Sequence, residues 1–152
     1  LGCFEVWHGR CLKDVAMSSV AEIEIMKAME VQLPLGLLGF ENIKTYSLTS
    51  PPDQEPFSWL TMSTGEGLAF LVVPPMFVAN DYAPDLSNDD VHFLEIRHPD
   101  DAMVLNIVKL RPNGASTVNL KAPIVINRHT MIGKQVVLSQ SAYAINHPIQ
   151  SA

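Results

Sequence analysis

The chain has 152 residues, 47% of them hydrophobic and 17% charged, and a net charge of −6. That length fits one domain burying about 70% of its unfolded surface, and that composition excludes an intrinsically disordered chain. The longest apolar run, Leu68 to Ala79, is broken by Pro74-Pro75 and falls short of the roughly 20 residues a membrane helix needs, so a soluble protein is expected.

The charges are segregated along the chain. Residues 1–73 carry nine acids and four bases, residues 74–101 seven acids and one base, and residues 102–152 five bases and no acid. Unless tertiary mixing erases it, this pattern gives the surface opposed acidic and basic regions, which suit steered association with a charged macromolecule better than binding of a small neutral ligand. The two cysteines, Cys3 and Cys11, lie in a segment without the long apolar core of a secretory signal. A disulfide framework is not expected, and the cytoplasm is the expected compartment.

Residues 1–19 lack periodicity and run into Met17-Ser18-Ser19, a natural start. They are expected to be a leader, vector-derived or disordered, ahead of a single domain over residues 20–152. Ala21 to Ile25 alternates as a strand should, and Val31-Gln32-Leu33 gives a second short strand that Pro34 stops. In Pro34 to Glu41, a proline and two glycines interrupt large apolar residues, which predicts a tight loop whose leucines and phenylalanine reach the core. Gly36 and Gly39 lack the lysine and hydroxyl residue of a phosphate loop.

Tyr46 and Leu48 mark a strand, and Pro51-Pro52-Asp53-Gln54 a turn. Phe57 to Met62 and Leu68 to Val73 form a hairpin through Thr64–Gly67, and the continuous apolar run of the second strand predicts a central strand buried on both faces. Gly65-Glu66-Gly67 is followed by no third glycine and no helix, so it is not a dinucleotide site. One helix is signalled, with Ser87 as N-cap, Asp89 and Asp90 in its first turn, and Val91 and Leu94 pinning it down.

Beyond Pro99-Asp100-Asp101 the chain returns to β structure over residues 103–110. After Asn113-Gly114, apolar residues at 118, 120, 122, 124 and 126 keep a strict period of two. They predict one strand with a single buried face and Lys121 on the outer one. With residues 135–139 it makes an antiparallel meander, followed by a tail from Tyr143 to Ile149. The fold class expected is mainly β: a small antiparallel β-barrel-like domain with one or two short helices.

No catalytic constellation emerges. The histidines at 8, 92, 98, 129 and 147 lack the close spacings of zinc sites. Asp85 to Asp90 begins like a calcium loop but has Asp90 where glycine is required and Ile96 where the closing carboxylate belongs. With no nucleophile elbow either, no enzyme activity, metal or cofactor is expected. The cations Lys109, Arg111, Lys121, Arg128 and Lys134 on β structure raise an alternative, a small barrel binding single-stranded nucleic acid. Such sites need aromatic platforms, and residues 102–152 offer only Tyr143.

Leu35-Gly36-Leu37-Leu38-Gly39-Phe40-Glu41, Pro56-Phe57-Ser58-Trp59-Leu60, Leu68 to Val73, Asn119-Leu120-Lys121-Ala122-Pro123-Ile124-Val125-Ile126-Asn127, Gly133-Lys134-Gln135-Val136-Val137-Leu138 and His147-Pro148-Ile149 are motifs whose order and spacing resemble the bacterial flagellar assembly factor FliW over about residues 21–149. The resemblance implies a non-catalytic cytoplasmic protein that binds two proteins alternately. One is the RNA-binding translational regulator CsrA, whose repression of flagellin messenger RNA is thereby relieved; the other is newly made flagellin. Direct nucleic-acid or membrane binding is not implied. The chain departs from the family pattern at Leu35, where an acid is usual, at Leu38, where proline is usual, and at Asn146, which replaces an arginine. The first two alter the loop, and the third removes a charge from the tail.

Motif residues such as Pro123, Ile124 and Ile126 read as holding the fold. Contacts with partners are therefore expected on the acidic edge Asp81, Asp85, Asp89, Asp90 and Glu95, which would attract a basic regulator surface. The tail residues Tyr143, Asn146, His147 and Pro148 form a second candidate surface.

Overall fold

The computed structural model describes residues 28–65, 67–112 and 114–149. The expected leader and the expected strand at Ala21–Ile25 lie outside them. The described residues form β1 (Met29–Gln32), β2 (Thr45–Thr49), β3 (Ser58–Met62), β4 (Ala69–Val73), helix α1 (Asn88–Leu94), β5 (Ala102–Lys109), β6 (Thr117–Val118), β7 (Ile124–Asn127), β8 (Gly133–Gln135) and β9 (His147–Pro148). Every strand pairing is antiparallel, so the described residues are mainly β with one short α-helix.

Alternation builds the first half. In β2 and β3 the even-numbered residues Tyr46, Leu48, Leu60 and Met62 are buried, and register places Val31 opposite Tyr46, Tyr46 opposite Met62, and Leu48 opposite Leu60. Cross-strand apolar rows of this kind fix the pairing, because a slip of one residue would expose them. β4 is central, between β3 and β5, as expected. Only its end is buried on both faces: Val72 enters the main core with Leu105, Ile124 and Ile126, and Val73 enters a second cluster with Val108, Val118 and Leu120.

The eight-residue β5 organises the second half. One edge meets β4 through Asn106 and Ile107. The other is divided, with Ala102–Leu105 against β7 and Val108–Lys109 against β6. That division corrects the expected single strand over residues 118–127. Asn119 Oδ1 accepts the backbone N–H groups of Lys121 (3.0 Å) and Ala122 (3.1 Å), and this side-chain turn bends the chain between two separate strands. All four residues of β7 are buried: Ile124 and Ile126 face the main core, and Val125 faces a third cluster beneath α1. Lys121 is not an outward strand residue, since its Nζ donates to the Ser141 carbonyl at 3.0 Å.

The loop at Pro34–Glu41 is tight because Gly36 has φ +69°, and a Cβ there would lie 2.6 Å from the Glu41 Cα. Of its large side chains only Leu37 is buried, with Phe40 packed on the core, whereas Leu35 and Leu38 are 52% and 58% exposed. Turn geometry, not hydrophobicity, decides which of them points inward. A single parallel bridge, Gln32 to Ile132, brings the end of β1 to the β7–β8 connection. The tail is an element of the sheet, since β9 pairs with β6.

Candidate partner-binding surface

The acidic segment is shaped by its helix. Ser87 accepts the Asp90 N–H at 3.1 Å and caps α1 as expected. Asp90 and Leu94 stand four residues apart and share a helix face. Leu94 seats on Val125, Val136 and Leu138, and Asp90 is carried inward with it to 8% exposure. There its Oδ1 meets Lys134 Nζ in a direct ion pair. Burial alone pushes the Asp90 carboxyl up; hydrogen bonds from Lys134 and Ser87 and the lysine's charge outweigh that and hold it below the usual carboxylate range. Lys134 also lies 5.6 Å from the Phe93 ring centroid. Asp90 is therefore a structural anion, not a free member of an acidic edge.

The other end of α1 is clasped by Asn127, 3% exposed at the end of β7. Its Nδ2 donates to the Leu94 carbonyl at 2.8 Å and the Glu95 carbonyl at 3.2 Å, while its Oδ1 accepts from His129 N and Thr130 N. This amide satisfies helix-end carbonyls that would otherwise be orphaned and shapes the β7–β8 turn at once.

Between Ala83–Asp90 and Val136–Tyr143 runs a groove of about 460 Å³, lined by Asp85, Leu86, Asp90, Val137, Ser139 and Tyr143 among others. Tyr143 is its fixed end. The ring stacks edge-on against Tyr82, centroids 4.6 Å apart, and its hydroxyl accepts the Ala83 N–H at 3.0 Å. Tyr82 in turn donates to the Leu120 carbonyl at 2.6 Å. The two expected contact regions thus meet here, through Asp85 and Asp90 on one side and Tyr143 on the other.

The remaining expected contacts lie elsewhere. Glu95 caps α1 with φ +55° and lines a separate depression with His92 and Arg97. His147 and Pro148 line another with Phe77 and Ile149. Asp81, Asp89 and Asn146 are exposed and line neither these nor the groove. The groove wall Val136–Ser141 is what sequence reasoning missed. In sequence Val136-Val137-Leu138 is a uniform apolar run, and the exposure of Val137 between buried Val136 and Leu138 emerges only in the structure.

Folding mixes the segregated charge. Lys134 pairs with Asp90, Arg128 Nε donates to the Asp100 carbonyl, and His129 Nε2 lies 2.9 Å from Asp101 Oδ1. Lys109 and Arg111 remain exposed. Among the described residues no helix is long and apolar enough to cross a membrane, and no group of three or more His, Cys, Asp or Glu side chains is placed to hold a metal ion.

The FliW protein family model matches residues 14–149. The flagellar assembly factor FliW of Clostridioides difficile is 35% identical over 122 residues, 80% of this chain and 94% of that protein. The FliW of Syntrophus aciditrophicus is 37% identical over 128 residues, 84% and 81% of the two chains. A crystal structure of a flagellar assembly factor FliW superposes with a TM-score of 0.75 at 30% identity, covering 81% of this chain and 86% of that one.

Proposed function

This chain belongs to the FliW family of flagellar assembly factors, and from that premise we propose that it is a cytoplasmic, non-catalytic partner switch. It binds CsrA, which frees flagellin messenger RNA from repression, and binds flagellin, whose accumulation recaptures it and restores repression. The observation that carries this reading is family membership across nearly the whole length of the chain and of its relatives. The geometry supports it, since an alternating binder needs surfaces and no reactive side chain. The groove offers such a surface, with the exposed carboxylate of Asp85 on one wall and apolar Leu86, Val137 and Tyr143 beside it.

Mixing the chain with CsrA and with flagellin on a sizing column with mass detection tests the reading. Co-elution with each at micromolar concentration, and release of labelled RNA from CsrA on adding the chain, are the expected results. Failure to co-elute with either sinks it. A salt-sensitive shift of RNA by the chain alone would transfer the function to nucleic-acid binding.

A further inference from the structure

We propose that Met76, with Met29 in the same groove, is a site of reversible oxidation to methionine sulfoxide, and that this modification turns the surface there from apolar to polar. The inference goes beyond the partner-binding reading and does not depend on it.

Methionine is unevenly placed. Of the five methionines among the described residues, Met62 is buried in the main core and Met131 packs against it, whereas Met29, Met76 and Met103 all line one groove of about 530 Å³. Separate parts of the chain bring them there. Met29 opens β1, Met103 lies near the start of β5, and Met76 stands in a 3-10 turn, Pro75–Phe77, just after β4.

The turn is set locally. Pro74 and Pro75 cannot donate to a continuing ladder, so β4 stops at Val73. Phe77 N then donates to the Pro74 carbonyl at 3.2 Å and Val78 N to the Pro75 carbonyl at 3.0 Å. This closure leaves Met76 67% and Phe77 59% exposed, and Met76 is the most exposed large apolar side chain among the described residues.

An exposed thioether is the methionine a hydroperoxide reaches first. The sulfur lone pair attacks one peroxide oxygen, and the O–O bond breaks as the S–O bond forms. Sulfur loses two electrons, the proton of the transferred oxygen passes to the leaving one, and hydrogen peroxide departs as water. A dithiol reverses the step: it is oxidised to a disulfide, and the sulfoxide oxygen leaves as water. The sulfoxide is polar where the thioether was apolar. At Met76 and Met29 that change falls on the rim of a groove and not in the core, so the fold is kept. Exposure ranks the sites, with Met76 ahead of Met29 at 40% and Met62 last at 5%.

The test treats the full chain with hydrogen peroxide, follows each methionine by peptide mass mapping, and reads apolar surface with the dye anilinonaphthalene sulfonate. Arg128 is the one charged side chain lining the groove among the described residues, so the dye's sulfonate meets a cation there. Met76 is expected to oxidise about tenfold faster than Met62. Dye fluorescence should fall about twofold or more with an unchanged far-ultraviolet circular dichroism spectrum, and methionine sulfoxide reductases with a dithiol should restore it. The double variant Met29→Leu, Met76→Leu keeps the rim apolar without an oxidisable sulfur and should hold its dye binding through peroxide treatment.

Oxidation of Met62 as fast as Met76 overturns the proposal, as does dye binding that stays level or rises when the unaltered chain is oxidised. An equal loss of dye binding in the double variant, or a loss the reductases cannot reverse, overturns it too. Collapse of the dichroism spectrum on oxidation would make the reaction damage to the core, and the proposal would fall with it.

Discussion

Asn127 links α1 to the β7–β8 turn with four hydrogen bonds from one buried amide. Replacing it with alanine leaves two helix-end carbonyls and two turn N–H groups without partners. Asn127→Ala is expected to cost about 2–4 kcal/mol, read as a lower denaturant midpoint with an unchanged slope. The Asp90–Lys134 pair makes a different prediction. Because the Asp90 carboxyl is held below its ordinary range, its contribution is present above the unfolded-state value near 3.9 and is lost as pH falls through the lowered folded value. Asp90→Asn should therefore flatten the stability profile below about pH 4 while lowering the plateau above it. Lys134→Met alone strands a buried anion and should destabilise by about 1–3 kcal/mol at pH 7, an effect that shrinks in the double variant with Asp90→Asn. Charge reversal at Asp90 would thus report on folding, and the steering experiment belongs to Asp85 and Asp89.

Elements succeed or fail here through close approach and docking. Gly133 opens β8 opposite Ile126, and a Cβ there would come within 2.8 Å of the Ile126 Cγ1 and 3.0 Å of the Leu33 Cδ2. Gly133→Ala is expected to cost about 1–3 kcal/mol by overpacking, visible in thermal unfolding. The tail is held by Tyr143, by the Leu120 N–H donating to the Ala144 carbonyl at 3.0 Å, and by β9 on β6. Tyr143→Ala removes a stacked ring and the acceptor for Ala83. It should cost about 2–3 kcal/mol and raise amide exchange at residues 144–149, whereas Tyr143→Phe, which keeps the ring, should cost about 1 kcal/mol.

At the scale of the whole molecule, the acidic surface acts at a distance. Asp81, Asp85, Asp89 and Glu95 stay exposed, so on the proposed reading their effect falls on the rate of encounter with a basic partner more than on the lifetime of the complex. The double variant Asp85→Lys, Asp89→Lys is expected to slow association with CsrA by about three- to tenfold at 20–50 mM salt and by much less at 0.5 M, where screening shortens the Debye length. Stopped-flow association at the two salt concentrations checks this; an on-rate unchanged at low salt removes the acidic edge from the mechanism.

The sequence by itself determined the local terms: β2, β3, β4 and β5 from alternation and apolar runs, the turn at Gly36 from glycine, and α1 from its cap and first-turn acids. These are legible because period, capping and φ > 0 are properties of neighbouring residues. The motifs in order also carried the family. Only the tertiary structure decided that residues 118–127 divide into two strands, because β5 offers one edge to both β6 and β7 and alternation cannot reveal how many neighbours a strand serves. It turned Asp90 from a surface acid into a buried anion, since the distant Lys134 supplies the countercharge. It also brought Asp85 and Tyr143 to one groove, a relation between segments about fifty residues apart that no local pattern encodes.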